Sequence, residues 1–250
     1  MTYNYSDISL GEYPGEISLI LYSGSCINQC PWCFNTELLD KKPLSFKQMK
    51  DAIDEHQDFV TAVVFSGGEP LNNPFFIKGV RYAKDKGLKI KVNTSGLVHQ
   101  SLSDNVFVPH VDYINISLKG LPMNYNQLLK SSNVYSQILN CDTLEYSFVY
   151  SSTLWSPSNL KKFQTFLKNK ISYDWRAMFS NRWSQPDIFT LSQMQVGNCL
   201  DSRYNQYSVP TEQECINVAW SFFSDIPKEQ LIVETKEFGR KRINIWKTQL

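Results

Sequence analysis

The sequence lacks the features that would take a chain into or across a membrane. No apolar run approaches the ~20 residues of a membrane helix, and the first residues lack the charged and apolar regions of a secretory signal. The formal net charge is only +1, so bulk electrostatics give no sign of binding to nucleic acid or to a membrane surface. At 250 residues the chain can bury a substantial core. We therefore expect a cytoplasmic globular protein with no nucleic-acid or membrane partner.

Cysteine is scarce, but half of the cysteines lie together. Of the six cysteines, Cys26, Cys30 and Cys33 fall within eight residues. Without a secretion signal, this grouping is more typical of metal ligands in a reducing compartment than of disulfides. Three thiolates are one fewer than a cuboidal four-iron cluster needs, so one iron would stay open to a small ligand, as suits a catalyst. The alternative is a zinc site completed by a distant Cys or His, although structural zinc sites usually show a second ligand pair, which this sequence lacks.

The remaining cysteines, Cys141, Cys199 and Cys215, are scattered along the chain. An auxiliary iron–sulfur cluster would normally need four thiolates, one more than these cysteines supply. Isolated cysteines in a globular protein usually behave as small buried apolar residues. We therefore expect them to be structural.

Apolar runs of strand length alternate with polar or amphipathic segments along most of the chain. This alternation predicts a parallel sheet with right-handed helical crossovers. Ser45 is a favourable cap for the start of the first helix, and Gly87 for the end of the second. The predicted strands cover residues 16–22, 60–65, 88–92, 111–117, 144–150 and 171–178, and the predicted helices cover 45–57, 75–86 and 159–168.

Four unusual segments each follow directly after a predicted strand. In parallel sheets, ligands bind at the carboxyl ends of the strands. The four segments would therefore meet at one rim, which predicts a single shared site. They are the cysteine loop, Ser66-Gly-Gly-Glu-Pro70, Asn93-Thr-Ser-Gly96 and Ser117-Leu-Lys-Gly120.

The pattern weakens between residues 181 and 210, where Gln, Asn and Ser are frequent. We expect an irregular segment there, with short helical pieces. Residues 211–223 are a predicted helix, with Thr211 and Glu214 as a capping box. Residues 231–235 and 240–245 are predicted to form a terminal strand pair.

Taken together, the motifs resemble those of the radical S-adenosylmethionine (SAM) superfamily. The resemblance lies in Cys-x3-Cys-x2-Cys after a first strand, an aromatic residue just before the third cysteine, and Gly-Gly-Glu-Pro after the next strand. The opening Gly11–Glu16, the run Cys-Pro-Trp-Cys-Phe-Asn35 and the run Val-Asn-Thr-Ser-Gly96 are also similar to the activating enzymes of glycyl radical enzymes. Among these, the similarity is to activators of anaerobic ribonucleotide reductase and of pyruvate formate-lyase.

The resemblance implies a fold and two cofactors. The fold would be α/β, a partial (β/α)6 TIM-like barrel with C-terminal additions. A single domain would cover residues 1–250, with a core at about 16–180 and a C-terminal extension at about 181–250. The cofactors would be a [4Fe-4S] cluster and SAM. Cys26, Cys30 and Cys33 would hold three irons, and the fourth iron would bind the amino and carboxylate groups of SAM.

The resemblance also assigns contacts with SAM. Trp32 would pack beside the adenine, the alternative being plain core packing. Gly67 and Gly68 would let the backbone approach closely, and Glu69 or nearby backbone would receive the methionine ammonium. Lys119 would meet the methionine carboxylate, the alternative being an exposed loop lysine. The same rim contributes Asn93, Ser95 and Ser117.

Two positions depart from the activator pattern. The activators carry Asp-Thr-Asn-Gly and Asp-x-Lys, where this chain has Asn93-Thr-Ser-Gly96 and Ser117-Leu-Lys119. In the family these carboxylates help to hold a monovalent cation and position the cofactor. Because Asn93 and Ser117 are neutral, we expect weaker cation binding here.

The resemblance implies an oxidoreductase that takes an electron from a flavodoxin or ferredoxin and reductively cleaves SAM to give a 5′-deoxyadenosyl radical. The leading substrate is a backbone glycine of a partner glycyl radical enzyme, such as an anaerobic ribonucleotide reductase. One alternative is a small molecule or nucleoside that reacts after the same radical start. The non-enzyme alternative is an iron–sulfur redox or structural protein. The motifs concern the binding of the cofactors and the formation of the radical, so they do not identify the substrate.

Overall fold

A computed structural model gives the structure of the sheet and of the helices that pack on it. The described residues are 5–26, 33, 35–95, 111–118, 141–152, 155–168, 188–193, 209–222, 230–235 and 239–242. The predicted strand at 171–178 lies outside them. No helix among the described residues is long and apolar enough to cross a membrane.

Within these residues, nine strands form one sheet whose spatial order follows the chain order. The central pairs from β2 to β8 are parallel. The two edge strands, β1 and β9, pair antiparallel with their neighbours. The strands are β1 Ser6–Ser9, β2 Ser18–Tyr22, β3 Ala62–Ser66, β4 Lys89–Thr94, β5 Val111–Leu118, β6 Cys141–Tyr150, β7 Ile188–Gln193, β8 Leu231–Thr235 and β9 Gly239–Arg242.

The helices begin and end where the local sequence predicts. Ser45 caps the first helix, and its side chain and that of Gln48 form a reciprocal capping box. Gly87 follows the second helix with φ +75, a conformation that favours glycine. Thr211 and Glu214 make the predicted capping box of the last helix. The helices are α1 Phe46–His56, α2 Phe76–Asp85, α3 Pro157–Lys168 and α4 Glu212–Phe222.

The two faces of the sheet differ in chemistry. Apolar residues of the strands and helices pack together on one face, as Phe65 of β3 does with Phe76 of α2. The opposite face, called the inner face below, carries a small apolar cluster that includes Val64 and Tyr113. Further along the inner face lie polar side chains such as Glu145, which is buried and accepts a hydrogen bond from the Tyr113 hydroxyl at 2.7 Å. An apolar helix-facing side and a mixed inner side are the arrangement expected of a partial barrel.

Two strands differ from the expectation. The prediction of irregular structure over residues 181–210 is wrong at β7, where Leu191 packs in the core while Thr190 lies buried against Glu145. Because the polar residues Thr190 and Ser192 alternate with Leu191, the strand lacks the continuous apolar run that identified the others. The short polar strand β1 was not predicted either. The predicted domain limits stay a prediction.

Candidate functional site

The carboxyl ends of adjacent parallel strands bring the predicted site segments together. Tyr22 and Ser66 are register partners at the ends of β2 and β3. Just beyond them, the Ser23 amide donates to the Ser66 carbonyl at 2.8 Å. On the other side, Asn93 of β4 is the register partner of Asn115 of β5. The described ends of these parallel strands therefore lie along one edge of the sheet.

Gly67 and Gly68 pack directly against the backbone that leads into the cysteine loop. Gly67 has φ +90, and a Cβ on Gly68 would lie 1.8 Å from the carbonyl oxygen of Ser25. The Glu69 amide donates to that same oxygen at 3.1 Å. The predicted close approach of the backbone is thus, in this structure, an approach to the residue just before Cys26.

Ser25 has a positive φ of 64, which is uncommon for a residue with a side chain. Its amide donates to the Leu38 carbonyl at 2.7 Å, and its own carbonyl accepts from Glu69. These hydrogen bonds hold the backbone in a conformation that costs an isolated residue on the order of 1 kcal/mol. The backbone is therefore held in a defined conformation at Ser25, the residue just before Cys26.

Two of the three clustered cysteines are described. Cys26 and Cys33 are both partly exposed and form no disulfide. Cys30 and Trp32 lie outside the described residues. Among the described residues, which exclude Cys30, no three Cys, His, Asp or Glu side chains gather as a metal site. Thiolates suit iron–sulfur clusters, so the donor atoms at this rim fit the predicted cofactor.

The Glu69 carboxylate points into the protein and joins the ends of β3 and β4. It is only 1% exposed and accepts hydrogen bonds from Thr94 Oγ1 at 2.6 Å, the Ser95 amide at 2.9 Å and the Leu71 amide at 3.2 Å. The Ser95 hydroxyl is a further donor. Burial raises the pKa of Glu69, and the hydrogen bonds from Ser95 and Thr94 oppose that rise. The Glu69 carboxylate is therefore already supplied with hydrogen-bond donors by the protein itself.

Asn93 lies on the inner face with its amide orientation defined by its neighbours. Its Nδ2 donates to Glu12 Oε2 at 3.0 Å and lies 3.4 Å from Ser66 Oγ. Its Oδ1 is buried and has no hydrogen-bond partner among the described residues. Buried acceptors are rarely left unsatisfied in native proteins. This oxygen is therefore suited to a donor group of a ligand or an ordered water.

The other predicted contacts fall into different surroundings. Ser95 is buried, and both its amide and its hydroxyl are engaged by Glu69. Ser117 is half-buried at the end of β5, beside its register partner Ser147. Lys119 lies outside the described residues.

Two residues at the site were missed in the sequence. Thr94 holds Glu69 and lies inside the Asn-Thr-Ser-Gly motif, so its position could have been noticed. Glu12 contacts Asn93 across 81 residues of sequence, and no local pattern signals such a contact.

The scattered cysteines lie away from the rim segments in sequence. Cys215 is fully buried in the core beside α4, as expected of a structural cysteine. Cys141 is partly exposed at the start of β6, the opposite end of the strand from the rim. Cys199 lies outside the described residues.

Residues 20–141, which span the cysteine loop, β3, β4 and β5, match the family model of the Radical SAM superfamily. The chain belongs to the radical SAM superfamily. That membership implies a [4Fe-4S] cluster and SAM as cofactors. The zinc site, left open by the sequence, does not fit this membership.

Two curated relatives match about half of the radical SAM chain. A Methanocaldococcus jannaschii protein, provisionally named a glycyl-radical enzyme activating enzyme, is 29% identical over 137 residues, 54% of this chain and 56% of that protein. An S-adenosylmethionine-dependent nucleotide dehydratase of Selenomonas ruminantium is 26% identical over 148 residues, 58% of this chain and 53% of that protein. The chain thus spans about half the length of the curated relatives it matches.

Solved structures show the same fold at low identity. Streptococcus suis SuiB bound to its precursor peptide SuiA has a TM-score of 0.57 and 14% identity, over 86% of this chain and 48% of that one. TYW1 with a lysine–pyruvate adduct bound has a TM-score of 0.55 and 10% identity, over 91% of this chain and 80% of that one. At such identities the likeness concerns the fold alone. It confirms the predicted α/β class, a parallel sheet consistent with a partial TIM-like barrel.

Proposed function

We propose that this radical SAM enzyme activates a glycyl radical enzyme by installing a radical on one of its backbone glycines. The observation that carries the proposal is the 29% identity, over 137 residues, with the archaeal protein named for that activity. The sequence supports it independently, because Gly11–Glu16 and the run ending at Asn35 follow the activator pattern. The partner would be an enzyme such as an anaerobic ribonucleotide reductase, and the electron donor a flavodoxin or ferredoxin.

The rim residues have the chemistry to hold both cofactors. Cys26, Cys30 and Cys33 would ligate three irons of the cluster. When bound, the cluster and SAM would supply a 5′-deoxyadenosyl radical, which removes a hydrogen atom from the substrate. The protein's own task is to fix the cofactors and to exclude water.

Several chain groups would orient SAM along the rim. Backbone near Glu69 would receive the methionine ammonium, since the Glu69 carboxylate is already surrounded by four donors. Asn93 Oδ1 is a buried acceptor without a donor among the described residues and would accept one from the ligand. The remaining proposed contacts are Trp32, Gly67, Gly68, Ser95, Ser117 and Lys119.

The test is to mix reduced, cluster-loaded protein with SAM and a candidate glycyl radical enzyme under anaerobic conditions. Electron paramagnetic resonance should show a persistent doublet, split by the single α-hydrogen of a glycyl radical. A partner in which the candidate glycine is replaced by alanine is the control and should show no doublet. Rapid cleavage of SAM without any partner radical would contradict the proposal.

A nucleotide or other small molecule is the second candidate substrate. The observation that favours it is the 26% identity with a SAM-dependent nucleotide dehydratase over 148 residues. This alternative predicts that a ribonucleotide increases formation of 5′-deoxyadenosine and is itself converted. Testing a set of ribonucleoside triphosphates in the same anaerobic assay separates the two substrates.

A further inference from the structure

One short segment near the start of the chain follows one face of β4. Lys89, Lys91 and Asn93 are alternate residues of that strand and share a face. The Lys89 ammonium pairs with the Glu16 carboxylate, and the Lys91 ammonium donates to the Glu12 carbonyl. Asn93 Nδ2 then donates to the Glu12 carboxylate at 3.0 Å. The Glu12–Glu16 segment thus holds three successive side chains on this face of the strand.

The Glu12–Glu16 segment is itself anchored by other contacts. Tyr13 is buried in the inner-face cluster, where its ring meets that of Tyr113 edge to face with centroids 5.7 Å apart. The Glu12 amide donates to Ser9 Oγ at 3.1 Å. These contacts do not involve the Glu12 side chain. The segment should therefore keep its place when only the Glu12 carboxylate is changed.

The Glu12 carboxylate decides which atom of the Asn93 amide faces away from it. An ionised carboxylate only accepts hydrogen bonds, so it selects the Nδ2 side of the amide. Ser66 Oγ, at 3.4 Å, lies on that same side. Oδ1 is thereby directed elsewhere, and it is this atom that is buried without a partner among the described residues.

We propose that Glu12 is a positioning residue of the SAM site, which holds Asn93 so that its Oδ1 accepts a hydrogen bond from a hydroxyl or amino group of bound SAM. The inference rests on the proposed function only in placing SAM at this rim. The inference adds Glu12 to the SAM site, although this residue lies outside the cysteine loop and outside the motifs at the strand ends.

The test compares SAM dissociation constants of anaerobic, cluster-loaded variants. Glu12→Ala removes the acceptor that orients Asn93, and we expect at least a tenfold weaker affinity. Glu12→Gln keeps an acceptor oxygen and should stay within threefold of wild type. Glu16→Gln is the matched control, since it changes the other glutamate of the segment, and it should bind SAM like wild type.

Exchanging the carboxylate and the amide between positions 12 and 93 is the more discriminating part of the test. Asn93→Asp alone places two carboxylates side by side without a donor, so we expect at least a tenfold loss of SAM affinity. Combining Glu12→Gln with Asn93→Asp reverses the direction of the hydrogen bond and should restore affinity to within threefold of wild type. Iron content and the midpoint of chemical unfolding should be the same in all variants. If Glu12 had only a structural role, its replacement would instead lower one or both of them.

Three outcomes are decisive. Wild-type affinity in Glu12→Ala, or losses that add rather than cancel in the double variant, would overturn the inference while leaving the proposed function intact. A wild-type protein that binds SAM but makes no partner radical would contradict the proposed function, and the affinities would still decide the role of Glu12. A wild-type protein that binds no SAM would overturn both.

Discussion

Single residues at the rim decide how closely two loops can approach. Gly68 is the clearest case, because the carbonyl of Ser25 occupies the space that a side chain would need. The Gly-Gly pair could be predicted from the sequence as a site of close approach, since glycine has no Cβ. What it approaches could not be predicted, because the contact joins the ends of two strands far apart in the chain.

Gly68→Ala should disturb the start of the cysteine loop. The new methyl group would lie 1.8 Å from a backbone oxygen, so the backbone must shift, and overpacking of this kind costs about 1–3 kcal/mol of unfolding free energy or more. Chemical denaturation and the iron content after reconstitution are the measurements, and both should fall.

Gly11→Ala is the matched control for this substitution. Nothing lies within 4 Å of a Cβ built on Gly11, so its stability should be unchanged or raised by about 0.4–1 kcal/mol. Equal stabilities and equal iron contents for the two variants would show that the contact between Gly68 and Ser25 does not form.

The role of Glu69 illustrates what a motif does not reveal. The sequence placed a carboxylate after β3, but its donors come from Thr94 and Ser95 at the end of β4. Whether such a group faces a ligand or the protein depends on this tertiary contact. The motif therefore located the residue without giving its orientation.

At the scale of elements, capping signals and apolar runs predicted most of the described structure. Ser45 and Thr211 begin helices as their motifs indicate, because each satisfies backbone amides at a helix start. β1 and β7 were missed since neither is an apolar run. Their places come from pairing with β2 and with β6 and β8, which is a property of the sheet.

Helix α4 offers a test of the packing between helix and sheet. Burial raises the pKa of Cys215 to about 12, with the neighbouring carboxylates of Glu214 and Glu212 adding to the rise. Since the thiolate is the reactive form, only on the order of one thiol in ten thousand would be ionised at pH 8. We expect iodoacetamide to leave Cys215 unmodified in the native protein and to modify it in denaturant, as read by mass spectrometry.

Labelling of the partly exposed Cys26 in the same cluster-free sample is the positive control. Modification of native Cys215 at a rate similar to that of Cys26 would mean that α4 does not cover the sheet as described. Loss of iron on Cys215→Ala would instead point to a cluster role for this residue.

At the scale of the whole molecule, one topological rule assembles the site. The strands from β2 to β5 run parallel and in chain order, so the segments that follow them share an edge. That much could be predicted from the alternation of strands and polar segments. The contact of Glu12 with this edge could not be predicted, because Glu12 lies before the radical SAM match begins at residue 20 and is 81 residues from Asn93 in sequence.

The most direct test of a cofactor site at this rim is anaerobic cleavage of SAM by the isolated, reduced protein. Wild-type protein reconstituted with about four irons per chain should form 5′-deoxyadenosine and methionine in equal amounts. Cys30→Ala should hold less iron and form none, because the cluster would lose one of its three thiolates. No 5′-deoxyadenosine from fully reconstituted wild type, or undiminished formation by Cys30→Ala, would contradict the assignment of the rim.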